Sequence, residues 1–236
     1  WDAARANLTV AEALAGWSSG KFSVDAGDGT LVAIYHDGTP VPESFGRRVL
    51  AALGGGEPVE PLFKFFERLA KNPSYRSVRM LHDFLRQVGI PIAPDGRILA
   101  YKGVTASYKD VHSSTCNDTK CEHATYDNRP GARHEMARNL VSDDPEIPCH
   151  AGFHVGSLKY AQGFGARVVI CAVDPADVVC VPKDCEQQKV RCCRYQVVGH
   201  LGDELPSTLF QGDVAADPDR GTAGPVLGAA AGPPGS

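Results

Sequence analysis

The sequence predicts an α+β chain: a small β-rich N-terminal part, a helical hairpin, then a mixed β-sheet domain with short helices and a long loop. Three observations point there. Runs rich in β-branched residues, such as RILAYKGV, VVICAV and RYQVVG, are bounded by turn residues as strands are. Ahead of them lie two segments whose apolar residues recur at helical spacing. The stretch after RILAYKGV is long and polar, with Pro, Gly, Asp and Asn scattered through it.

In order along the chain, residues 1–20 carry a short helical pattern (Val10, Ala13, Leu14, Trp17) ended by Ser18-Ser19-Gly20. KFSV and TLVAIYHDG read as strands, with Gly27-Asp28-Gly29 as the hairpin turn between them. Residues 45–53 read as a helix stopped by Gly54-Gly55-Gly56. Residues 60–70 place Leu62, Phe65, Phe66 and Leu69 on one stripe, and Asn72-Pro73-Ser74 breaks it. Ser74 then caps a helix bearing Val78, Leu81, Leu85 and Val88, with Gly89 as its close and Pro91 as a stop signal. So short a link makes the two helices an αα-hairpin, whose plain role is packing. Asp95-Gly96 turns into the strand RILAYKGV, and the polar stretch 105–147 follows. After it come the strand GFHVG, a helix from Ser157 to about Phe164, the strand VVICAV, a short strand in DPADVVCVP, and RYQVVG. Three divisions result: a β-rich segment with flanking helices at 1–57, an α+β domain at 58–205 (hairpin 60–89, sheet 92–203), and a flexible Gly/Pro/Ala tail at 206–236.

Composition narrows the function classes. The chain has 236 residues, 43% of them hydrophobic and 22% charged, enough apolar material for a core. A formal charge of −4 argues against holding nucleic acid by bulk charge. No apolar run approaches the ~18 residues that cross a bilayer as a helix. The opening Trp1-Asp2-Ala3-Ala4 lacks the basic start and apolar run of a signal peptide, and a chain starting at Trp reads as processed or as a fragment. Eight Cys are too few for a disulfide scaffold. Cys171 and Cys180 sit in apolar runs as core thiols, and the strand neighbours Cys192 and Cys193 read as one core and one surface thiol. A reduced, cytosolic chain is expected.

An ordered set of blocks then carries a resemblance: LFKFFERLAKNPSYRSVRMLHDFL, DGRILAYKGV, YKDVHSST, YDNRPG, VSDDPEIPCHAGFHVGSLKYAQGFG, VVICAVDPADVVCVPKD and QKVRCCRYQVV. Residues 61–198 resemble the C-terminal part of the rIIB family of phage rapid-lysis proteins, and residues 21–53 match more loosely. The resemblance implies control of lysis timing, action with an rIIA-like phage partner, association with the inner face of the host membrane, and exclusion of mutant phage by a resident prophage. It implies no catalytic residues. The T-even members begin with a helix-turn-helix-like segment that has no counterpart here, so a nucleic-acid role is not expected to carry over. An insertion of about ten residues relative to the family separates Ser114 from Tyr126.

That insertion reads C-x4-C-x-H (Cys116, Cys121, His123), with His112 upstream. Four such ligands suit tetrahedral zinc, but the spacing is not a C-x2-C knuckle, and incidental thiols on an exposed loop fit as well. Cys149 or His150 joins the set only if the chain folds back. Apart from zinc, no cofactor is expected. The second candidate is GFHVGS leading into a helix, where free N–H groups attract anions. With AYKG it faintly resembles the nicotinamide pocket of ADP-ribosyltransferases, which would place Tyr101, His154, Gly156 and Ser157 around a ligand. No Gln/Glu-x-Glu follows, and Asp203-Glu204 lies far toward the tail. The plainer reading has Gly152 and Gly156 admitting a close backbone approach and Ser157 capping a helix. Asp143-Asp144-Pro145-Glu146 reads as a turn former more than a cation loop. Lys183, Lys189, Arg191 and Arg194, interleaved with Asp184 and Glu186, read as a solvated face. There is no G-x-S-x-G elbow and no phosphate-binding loop. The function expected is therefore a regulator that binds a protein partner, with an NAD-using ADP-ribosyltransferase-like enzyme as the alternative.

Overall fold

The computed structural model describes residues 22–25, 33–41, 43–112 and 126–201. Two compact units divide between Phe63 and Lys64. In the first, β1 (Phe22–Asp25), β2 (Ala33–His36) and β3 (Thr39–Pro40) form an antiparallel three-stranded sheet. Asp37 and Gly38, both at positive φ, make the two-residue turn joining β2 to β3. The expected turn at Gly27-Asp28-Gly29 and the helical pattern of residues 1–20 lie outside the described residues. Helix α1 (Glu43–Gly54) buries Phe45, Val49 and Ala52 at helical spacing, and Phe45 meets the ring of Phe63 edge-on at 6.2 Å.

The two expected helices follow as α2 (Glu60–Leu69) and α3 (Tyr75–Val88). Ser74 caps α3, its side chain accepting the amide of Ser77, and Gly89 closes it in the left-handed conformation with its N–H on the Leu85 carbonyl. Helix α3 and the turn ahead of it are fastened to the sheet domain by polar ties. The Ser77 hydroxyl donates to the Val179 carbonyl at 2.6 Å, and the Asn72 amide donates to the carbonyls of Pro175 and Val178.

The larger unit is built on a seven-stranded sheet of order β5-β10-β7-β4-β6-β9-β8. Its strands are β4 (Ile98–Val104), β5 (Arg133–Glu135), β6 (Phe153–Gly156), β7 (Arg167–Val173), β8 (Val178–Cys180), β9 (Lys189–Cys192) and β10 (Arg194–His200). The α+β class holds. Where a mixed sheet is expected, every registered pairing among these strands is antiparallel. Short helix α4 (Leu158–Gln162) covers one face, packing Ala161 with Leu99, Tyr101, Ile170 and Ala172. Asp110 and Asn128, both buried, pack from the polar stretch toward Tyr195 and Lys102.

That polar stretch departs from a plain loop. Its described part pairs Val104 with Asp110 and Lys109 with Asp127, then supplies the edge strand β5 and a 3-10 turn at Arg138–Leu140. Strand β5 is three residues of Arg, His and Glu, too short and too polar to show apolar alternation. Among the described residues no helix is long and apolar enough to cross a membrane.

Candidate functional site

A cavity of about 170 Å³ opens beside the β5 end of the sheet. Strand pairing places Arg194 opposite Glu135 and Gln196 opposite Arg133, so period-two projection puts these four side chains on one face. The end of β7 adds Ala172 and Asp174, the turn after it adds Asp177, and Arg97 enters just ahead of β4. Asp174 accepts from Arg68 at 2.6 Å, while Arg97 donates to Asp95 at 2.6 Å and to Gln196 at 2.9 Å. Nearer the solvent, Arg194 reaches Glu135 at 2.6 Å and lies 3.9 Å from Asp177. His134 also lines the cavity; burial, the largest effect on it, holds its imidazole below the ordinary value.

Three arginines thus face three carboxylates, and the deep ones are already matched inside the protein. A polyphosphate needs an excess of positive charge, which this lining does not offer. The mouth presents charges of both signs, and β5 beside it is a terminal strand with β10 on one side.

Tyr101, His154, Gly156 and Ser157 are brought onto neighbouring elements, Tyr101 pairing directly with Gly156 across β4 and β6. Tyr101 is buried in the core under α4. Gly156 has the Gln188 carbonyl where a side chain would begin, 2.2 Å from an added Cβ, so no larger residue fits. Ser157 caps α4 by accepting the Tyr160 amide and donates its hydroxyl to Gln188 at 2.7 Å. His154 accepts from Arg191 Nε at Nε2, 3.3 Å away. Burial, then Lys189, Lys102 and Arg191, push its pKa down to about 3, so this imidazole is neutral.

The basic residues of β9 are a correction. Lys189 is 1% exposed and Arg191 is wholly buried, so neither belongs to a solvated face, whereas Lys183 does lie in solvent. Arg191 donates to the carbonyls of Ser142, Asp144, Ile147 and Pro148. Lys189 donates to the Pro148 carbonyl at 2.7 Å and to Asp184 at 2.6 Å. The carbonyl oxygens of one loop thus supply much of the solvation these two cations lost on burial. The acidic segment 143–146 is turned to structure: Asp144 caps the Glu146 amide and Glu146 pairs with Lys183. Cys193 is likewise buried, although a surface thiol is expected of one member of its pair.

On the other face runs a network that sequence reasoning missed. Lys102 lies 3.3 Å from Asp110, Asn128 donates to Asp110 at 2.8 Å, and the Tyr195 hydroxyl meets the Asn128 carbonyl oxygen. Asn128 sits in YDNRPG, where Asn, Pro and Gly announce only a turn. Cys116, Cys121 and His123 lie outside the described residues; His112 is exposed, its ring edge-on to Phe164 at 6.4 Å. Among the described residues no group of three or more His, Cys, Asp or Glu is placed to hold a metal.

The family model for "Bacteriophage T4 protein rIIB" matches residues 10–210. "Protein rIIB" of Enterobacteria phage T4 is 34% identical over 201 residues, an alignment taking in 84% of this chain and 60% of that protein's length. No solved structure matches. With most of its length inside that family model and a third of its aligned residues shared with the T4 protein, the chain belongs to the rIIB family of bacteriophage proteins.

Proposed function

We propose that this protein is a phage regulator of the rIIB type that controls lysis timing or host exclusion by binding another protein. Its partner is an rIIA-like phage protein, met in the host cytoplasm or at the inner face of the membrane. The observation that carries this reading is the terminal strand β5, whose exposed Arg133 and Glu135 stand at the mouth of the charge-balanced cavity. An edge strand takes a partner through main-chain hydrogen bonds, and alternating charges beside it set register and choice of partner.

The test is affinity capture of the tagged full chain from infected cells at physiological salt. One phage protein is recovered with the wild type and lost with the paired reversal R133E/E135R. Failure to recover any phage protein overturns the reading. Incubation with NAD separates it from enzymatic use of the same scaffold, because a binding protein releases no nicotinamide.

A further inference from the structure

Six cysteines are described, and they divide sharply: Cys171, Cys180, Cys192 and Cys193 are buried, whereas Cys149 and Cys185 are exposed. The two exposed thiols stand on segments that the fold ties together three times. Lys183 donates its amide to the Pro145 carbonyl at 3.0 Å, and its ammonium pairs with Glu146. Lys189 then bridges Pro148 and Asp184, the residues immediately before the two cysteines, with one buried ammonium. We propose that Cys149 and Cys185 form a thiol-modification site, an intramolecular disulfide that locks the loop around 142–149 onto the 184–188 turn.

Two further observations support the pairing. Each thiol is close enough for a charge on Cys149 to be felt at Cys185, and a charge on either to be felt at the Tyr160 hydroxyl. Cys185, Glu186 and Gln187 also run consecutively through the left-handed region, with φ of 49°, 55° and 56°. Such a run of non-glycine residues is strained and survives where its surroundings hold it. Here Lys159 pairs with Glu186 at 2.9 Å and the Gln188 amide donates to the same carboxylate. The strained turn places Cys185 at the surface directly after the carboxylate that Lys189 clasps.

The oxidant class is a low-molecular-weight disulfide such as oxidised glutathione. One protein thiolate attacks a sulfur of the small disulfide, expelling one thiolate, which takes up the proton the protein thiol has lost. The second protein thiolate then attacks the mixed disulfide and expels the other small thiolate, which takes up the second proton. The two protein thiols are oxidised to one disulfide, and the small disulfide is reduced to two thiols. Burial and then Asp184, to which the Cys185 thiol donates at 3.5 Å, push the Cys185 pKa up.

The test treats the reduced full chain with oxidised glutathione and maps it by mass spectrometry after digestion without reductant. The expected result is a linked peptide pair containing Cys149 and Cys185, formed at a rate independent of protein concentration. C149S and C185S each abolish that link and leave one glutathionylated cysteine. In urea the selectivity is lost. Separate glutathionylation of both thiols without a link, preferential bonding of either to Cys116 or Cys121, or linkage only between two chains overturns the proposal.

Discussion

The Nε of Arg191 donates to Nε2 of His154 at 3.3 Å, binding the two across the β6–β9 pairing that places them opposite each other. A guanidinium is always a donor, so the imidazole nitrogen that meets it must carry its lone pair. The histidine is therefore an acceptor, and the rest of the arginine is free to reach over the loop that crosses the strand.

Replacing Arg191 leaves several loop carbonyls without their donor. Arg191→Met lowers stability by about 3–5 kcal/mol, the cost of orphaning buried acceptors around a lost charge-assisted cluster. Arg191→Lys restores the charge but not the planar fork, and recovers less than half of that loss. Urea midpoints at pH 7 measure both.

His154 makes stability depend on acidity. Its pKa is about 3 in the fold against 6.5 for the free group, so the unfolded chain takes up the proton first. Its contribution is complete above 6.5 and is lost as pH falls toward 3, at up to ~1.4 kcal/mol per pH unit. Burial lowers His134 as well, adding a loss of the same sign, so the measurement is the difference between wild type and His154→Gln. Between pH 7 and 5.5 the variant loses less stability than the wild type.

The network behind Tyr195 is held together by Asn128. Tyr195→Phe removes one hydrogen bond and costs about 1–2 kcal/mol, while Asn128→Ala leaves both the Tyr195 hydroxyl and Asp110 short of a partner and costs about 3 kcal/mol. The double variant costs less than the sum of the two, because the groups share one network. Chemical denaturation of all three proteins checks this.

Charge at the cavity mouth separates binding from folding. Glu135 and Arg194 have side chains 61% and 29% exposed, so their ion pair contributes little to stability. Glu135→Arg shifts stability by no more than about 1 kcal/mol and weakens partner binding at least tenfold, about 1.4 kcal/mol. A melting curve beside a binding titration distinguishes the two effects.

Much of the framework was legible because its signals are local. Ser74 and Gly89 marked both ends of α3, the apolar run ILAYKGV marked β4, and the Val-rich runs marked β7 and β10. Strand β5 was not legible, since Arg-His-Glu has no apolar face and is a strand only through its pairing with β10. Gly156 and Ser157 were readable as close approach and cap, which the Gln188 carbonyl and the Tyr160 amide bear out. Lys189 and Arg191 look solvated in sequence because they stand among acidic neighbours, yet both are buried. Their acceptors lie some forty residues away in sequence, and main-chain oxygens leave no mark on composition. The cavity draws on Arg97, Asp174 and Arg194, which only the assembled sheet brings together.

Arg191 grips its loop by main-chain carbonyls, a handle every amino acid supplies. The course of that crossing therefore depends on the two cations beneath it and on backbone oxygens more than on the kind of side chain it turns outward.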